Sequence, residues 1–335
     1  MNIRRYLSFL LISLLLLLAS GCGSQHPALN AGAGKYKVAL ILVGPISDAG
    51  WNASAYKGMK ELSQEQDFHF AYAEAVPFVE SQAAMRDYAS RGYDLIVANN
   101  FGFSEYMGKV AKDFPDTNFA VITGRVKGPN LSSYDAGQRQ GTFMAGALAA
   151  LMSKTGSIGI VGGVDDPSII KAVEGFKSGA RHVRPTIKIL SAYTGSYSDI
   201  AKAKETALSL IGAGADSVGH VANQAGLGVI QAAKEKGVWA MGTGTDQHAI
   251  APKTVLTTAM TDMKVLEKMI LTDARSGNYG NQIVMPGIKE GVAYLAPFYD
   301  LDAAVPAEVK QRLAALAEEI KSGKVVVPEV GVKTD

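Results

Sequence analysis

Cysteine is almost missing from this chain: Cys22 is the single thiol in 335 residues. One thiol excludes a disulfide framework, so the fold must be held by its own core. Metal-binding patterns are missing as well. His26, His69, His182, His220 and His248 are scattered, without HExxH or Cys/His spacing, which argues against a zinc site. No basic tract points to nucleic acid, no acidic tail is present, and the formal charge of +2 falls to 0 when Arg4 and Arg5 are removed. Enzyme signatures are equally sparse: there is no P-loop, no GxSxG and no thiol set for nucleophilic chemistry. Gly242-Thr243-Gly244-Thr245-Asp246 follows a predicted strand but lacks a third glycine and an opening helix, so it is not a dinucleotide fingerprint. Asp165 and Asp166 are adjacent and diverge in direction, which suits a loop or helix cap better than an acid–base pair. The expectation is a binding protein rather than an enzyme, without cofactor or metal.

What is present begins at the N-terminus. Arg4 and Arg5 precede an apolar stretch, Leu7 to Ala19, and Leu18-Ala19-Ser20-Gly21 supplies small residues before Cys22. The stretch is too short to span a bilayer comfortably, so residues 1–21 read as a cleaved export signal. The pattern resembles a bacterial lipoprotein signal, which implies a mature chain beginning at a diacylated Cys22. Residues 22–35 are small and polar and read as a flexible tether. The protein is therefore expected outside the cytoplasm, held on a membrane by its N-terminal lipid.

From Tyr36 onward, apolar or β-branched runs alternate with helix-length stretches. Predicted strands are Lys37–Val43, His69–Ala73, Leu95–Ala98, Phe119–Thr123, Ser157–Val161, Lys188–Tyr193, Ser217–Val221, Trp239–Gly242 and Val255–Ala259. Predicted helices include Ala53–Glu65, Glu80–Arg91, Glu105–Phe114, Ile169–Val183, Ile200–Ala213 and Gly228–Lys236. This alternation implies right-handed βαβ units and parallel sheets. A weak internal repeat sharpens it. Val38–Val43 leads to Asp48 and then Gly58; Ser157–Val161 leads to Asp165 and then Gly175, with the same Asp-to-Gly separation. Gly92-Tyr93-Asp94 running into Ala98-Asn99-Asn100 has its counterpart in Gly214-Ala215-Asp216 running into Ala222-Asn223-Gln224. Two matches in one order indicate duplication. The expected fold is α/β, with two doubly wound parallel-sheet lobes: residues 36–137 plus 252–284, and residues 138–251 plus 285–330. Ligands of such lobes sit beyond the carboxyl ends of the strands.

The first strand ends in Gly44-Pro45-Ile46-Ser47-Asp48-Ala49-Gly50-Trp51-Asn52. This segment places a carboxylate, an amide and a large ring together at the lip of the presumed cleft. Asp48 can accept from hydroxyls or ring N–H groups, Asn52 can donate and accept, and Trp51 can stack on a flat ligand. Structural roles are open to the same residues: Asp48 as a helix N-cap and Trp51 as a core ring. Tyr197 reads either as a second stacking ring from the other lobe or as a loop aromatic. Of Phe101 and Phe103, one suits the core and the other the cleft. Asn100, Gly124, Asn223, Gln224, Asp246 and Asp262 lie at strand ends and complete the expected ligand-binding set with Asp48, Trp51, Asn52, Phe101 and Tyr197.

The chain resembles the basic membrane protein family, the purine-nucleoside-binding lipoproteins of ABC transporters, over nearly all of the mature chain. The resemblance rests on Ser47-Asp48-Ala49-Gly50-Trp51-Asn52, Gly141-Thr142-Phe143-Met144-Ala145-Gly146, Ile160-Val161-Gly162-Gly163, Tyr193-Thr194-Gly195-Ser196-Tyr197 and Gly242-Thr243-Gly244-Thr245-Asp246-Gln247. It implies a type I periplasmic-binding-protein fold with crossover strands, capture of a nucleoside or purine base, and delivery to an ABC permease. This chain departs from the family where Thr123 and Gly244 replace acids and Thr261 replaces a lysine; Asn223-Gln224 replaces a glycine-rich pair. Those changes weaken the usual grip on ribose hydroxyls. Other readings are a sugar-binding protein, in which Arg125 or Arg139 would serve, and a surface sensor or regulator that feeds no transporter.

Overall fold

The computed structural model describes residues 35–48 and 50–329. The expected export signal, Cys22 and the expected tether up to residue 34 lie outside the described residues. No helix among the described residues is long and apolar enough to cross a membrane.

The first lobe opens with β1 (Lys37–Ile41), α1 (Trp51–Glu65), β2 (His69–Ala73), α2 (Ser81–Ser90), β3 (Leu95–Ala98), α3 (Ser104–Ala111), β4 (Asn118–Ile122) and β5 (Leu131–Tyr134). The chain then crosses into α4 (Gln138–Met152), β6 (Ser157–Gly162), α5 (Pro167–Val183), β7 (Lys188–Tyr193), α6 (Ile200–Gly212), β8 (Ser217–Val221), α7 (Gly226–Lys236), β9 (Trp239–Gly244) and β10 (Val255–Thr261). It returns for α8 (Met263–Arg275) and β11 (Ile283–Val284), and crosses again to β12 (Ala293–Leu295) and α9 (Ala307–Lys321).

The two six-stranded sheets have orders β11-β5-β4-β3-β1-β2 and β12-β10-β9-β8-β6-β7. Matched strand for strand, the orders are the same, as the sequence repeat implies. One difference breaks the symmetry: β11 pairs parallel with β5, whereas β12 pairs antiparallel with β10. Two sheet faces need covering in each lobe, and strand periodicity divides the side chains between them. Val38, Leu40 and Leu42 pack with Ala55, Met59 and Leu62 of α1 and with Leu266 and Ile270 of α8. Ala39 and Ile41 point the other way, onto Met85 of α2 and Met107 and Val110 of α3. This is why β1 reads as an unbroken apolar run.

β10 belongs to the second sheet, paired with β9 and β12. The return to the first lobe therefore falls at Asp262, ten residues later than the boundary at 252 expected from sequence. A fully buried strand carries no mark of which sheet it joins, so Val255–Ala259 was legible as a strand but not as to its lobe. The helix starts follow ordinary capping chemistry. Asp166 accepts from the N–H groups of Ser168 and Ile169 ahead of Pro167, Asp199 from Lys202 and Asp262 from Val265.

Candidate functional site

Each sheet ends in the order β3-β1-β2 or β8-β6-β7, so successive crossovers leave to opposite sides between β1 and β3 and between β6 and β8. These are the points where a doubly wound sheet opens a crevice beyond its strand ends. The loop after β1 fills the first of them. Asp48 is buried there, and its carboxylate is saturated. Oδ1 accepts from the N–H groups of Gly50 at 2.9 Å and Ala53 at 3.0 Å; Oδ2 accepts from the N–H of Asn52 at 3.1 Å and its Nδ2 at 2.9 Å. Burial raises the Asp48 pKa, but the N–H groups of Ala53, Gly50 and Asn52 outweigh it and hold the carboxyl below its ordinary value. Asp48 thus anchors the first turn of α1 from two residues ahead of the N-cap position, which Gly50 occupies in place of the Asp48 expected there.

Trp51 is half-buried, with its indole N–H donated to the Asn99 carbonyl at 2.8 Å, which fixes the ring against the end of β3. Asn52 and Asn99 are 3% and 0% exposed, yet Oδ1 of each has no hydrogen-bond partner. Such buried acceptors without a partner are uncommon. Asn100 accepts from the Gly102 N–H at 2.8 Å. Phe101 is half-buried while Phe103 is fully buried in the core. Gly124 follows Thr123, whose φ is +62°.

In the second lobe Asn223 also has a positive φ, +47°, and turns its amide across to the first lobe. Its Oδ1 accepts from the Trp51 N–H at 3.2 Å and its Nδ2 donates to Asp48 Oδ2 at 3.2 Å. Tyr197 is half-buried and donates its hydroxyl to Asp166. Burial, then the bond to Asp166 and its charge, push that hydroxyl far above its ordinary pKa, so Tyr197 stays a neutral donor. Gln224 and Asp246 are exposed; Asp246 accepts from the His248 N–H at 3.0 Å and from the Tyr299 hydroxyl. Asp262 is half-buried, and its Oδ1 accepts from the Val265 N–H at 3.0 Å. Next to it Thr261 is buried with an unpartnered Oγ1. The structure joins Asp48, Trp51, Asn52 and Asn223 directly. It records no such contact from Tyr197, Asp246 or Asp262 to that group.

Sequence reasoning missed a second polar cluster, at the crossover. Asp135, just past β5, lies 2.6 Å from Lys171 on α5 and 3.4 Å from Arg125, and accepts from the Gly137 N–H at 2.9 Å. Burial alone would raise the Asp135 pKa; the charge and bond of Lys171, with Arg125 and the Gly137 N–H, bring it below the ordinary value. Thr123, Gln138, Arg139 and Ser168 join this pair around a cavity of about 10 Å³, the space of one water. A lone lysine among Ser168-Ile169-Ile170 and Ala172-Val173 was the available signal, since a buried lysine needs a partner. On β8, His220 is fully buried, with Nε2 2.8 Å from Gln247 Oε1, and desolvation lowers its pKa to about 4. The site thus offers neutral and anionic hydrogen-bonding groups beside one fixed ring. Among the described residues no group of three or more His, Cys, Asp or Glu is spaced to hold a metal ion.

Comparison with known proteins agrees with this architecture. The chain is 30% identical over 296 residues to a purine-binding protein of Brucella abortus, covering 87% of this chain and 82% of that one. It is 26% identical over 335 residues to an ABC transporter nucleoside-binding protein of Lactococcus lactis, covering 92% and 94%. A solved solute-binding protein of an ABC transporter system from Aeropyrum pernix superposes with a TM-score of 0.77 at 21% identity, covering 87% of this chain and 94% of that one. That likeness establishes the periplasmic-binding-protein fold. Residues 35–330 match the model of the Bmp family, described as PnrA-like ABC transporter substrate-binding proteins, and the chain belongs to that family.

Proposed function

We propose that this protein captures a purine base or purine nucleoside between its lobes and delivers it to an ABC permease. The observation that carries the reading is the setting of Trp51. Its indole N–H is held by the Asn99 carbonyl at the crevice of the first sheet, and the side-chain amide oxygens of Asn99 and of the adjacent Asn52 have no partner. A held aromatic ring beside such amide acceptors suits a flat ligand with polar edges, and a site of this kind rejects analogues that leave its buried atoms unpaired. Tyr197 is placed in this reading as the second ring, with Asp246, Asp262, Gln224, Asn100, Phe101 and Gly124 at the rim. Family membership supports the transport role, since the family is one of binding proteins rather than enzymes. Lipid attachment at Cys22 would keep the receptor beside its permease on the outer face of a membrane.

A thermal-shift panel tests the ligand class, because a molecule that binds only the folded state raises the melting temperature. Adenine, guanine, hypoxanthine and their ribonucleosides are compared with ribose, arabinose and glucose. Stabilisation by purines and not by sugars is the expected outcome. Stabilisation by sugars alone would overturn the reading.

A further inference from the structure

The two crevices of the fold are tied to each other by one side chain. Asn223 lies at the end of β8, in the crevice of the second sheet; Asp48 and Trp51 lie in that of the first. The Asn223 amide uses both its functions on the far lobe: its oxygen takes the Trp51 N–H and its nitrogen serves the Asp48 carboxylate, each at 3.2 Å. The contact is close enough to constrain the partner loop. A Cβ built on Gly50 would lie 2.1 Å from Asn223 Oδ1, so only glycine lets the amide in. The φ of +47° at Asn223 is one that asparagine tolerates better than most residues.

We propose that Asn223 is a positioning residue for capture, whose carboxamide latches the lobes together across the crevice by its own contacts, whatever the crevice holds. The contact shifts the balance of the lobes toward the closed arrangement, and its loss shifts that balance toward the open one. Two hydrogen bonds of ordinary net strength correspond to a change of about 5- to 150-fold in the ratio of shut to open molecules. The inference is independent of which ligand the cleft takes.

Its test uses ligand-free protein. In a Cys22→Ser background the only thiols are those introduced at exposed positions, by Val79→Cys in the first lobe and Lys234→Cys in the second. Pulsed-EPR distances between labels at these sites report lobe separation. Asn223→Gly keeps the positive φ without strain and removes the amide alone. Asn223→Asp keeps the shape but sets a second carboxylate against Asp48. Both variants are expected to move population from the parental distance to a separate, open-state distance, the aspartate variant at least as far as the glycine one. Gly50→Ala, which wedges the same contact from the other side, is expected to do likewise. If the two Asn223 variants are folded by circular dichroism and keep the parental distance distribution, the latch is overturned.

Discussion

Trp51 shows how much a single side chain can be asked to do. Its indole N–H is committed to Asn99, so its remaining contribution to a ligand is its face. Stacking on such a ring adds about 1 kcal/mol beyond the area it buries. With that area included, Trp51→Ala is expected to weaken purine binding at least about tenfold. Calorimetry would check it, and unchanged affinity would remove the ring from the site. His220 makes a different prediction. Desolvation lowers its folded-state pKa from the ordinary 6.5 to about 4. The unfolded chain therefore takes up the proton first as the pH falls, and stability is lost between about pH 6.5 and 4, by about 3 kcal/mol in all. Urea unfolding across that range should show the loss, and a His220→Asn variant should lack this step. At this scale the sequence was a good guide to place and a poorer one to role. Asp48, Asn52 and Trp51 stand at the crevice as their order after a strand suggested. The acceptors of Asp48, Asn100 and Asp262, however, are largely spent on backbone N–H groups, because strand-end loops lead into helices whose first N–H groups need partners. Asp135 and Lys171 went unrecognised because they are 36 residues apart and only the fold brings them together.

Helices α4 and α5 pack almost backbone to backbone, and three glycines allow it. A Cβ on Gly179 would lie 1.8 Å from the Phe143 carbonyl oxygen, one on Gly146 2.0 Å from that of Phe176, and one on Gly175 2.5 Å from that of Arg139. The Gly179→Ala variant cannot be absorbed by a rotamer change, since the obstacle is backbone. It is expected to destabilise the second lobe by about 1–3 kcal/mol, the range for overpacked cores, read as a lowered melting temperature. Strands show where reading from sequence stops. β2, β3, β7 and β8 were placed to the residue, because each is a short apolar or β-branched run between turn residues. β5 was missed, since Leu131-Ser132-Ser133-Tyr134 sets two serines inside a buried strand. Ser133 Oγ finds the Val126 carbonyl at 2.5 Å, a partner that lies seven positions earlier and is invisible to local pattern. β11 and β12, with two and three residues, are too short for any periodicity to register.

The whole molecule was more legible than its parts. A repeat of a few residues implied two lobes of one topology, and both sheets carry the same strand order. What the repeat did not reveal is how the chain is shared between them. The core of the first lobe takes Met263, Leu266, Ile270, Leu271 and Val292 from the far end of the sequence, and its sheet is closed by β11 at Ile283–Val284. That of the second lobe takes Ala293, Leu313 and Leu316. Neither lobe can finish its core from a continuous stretch. During synthesis from the N-terminus, then, more than four-fifths of the chain must emerge before either core has all its pieces. A nascent protein of this design is slow to commit to its native packing. That delay leaves both cores open at once, so the two lobes close in the same late step rather than one after the other.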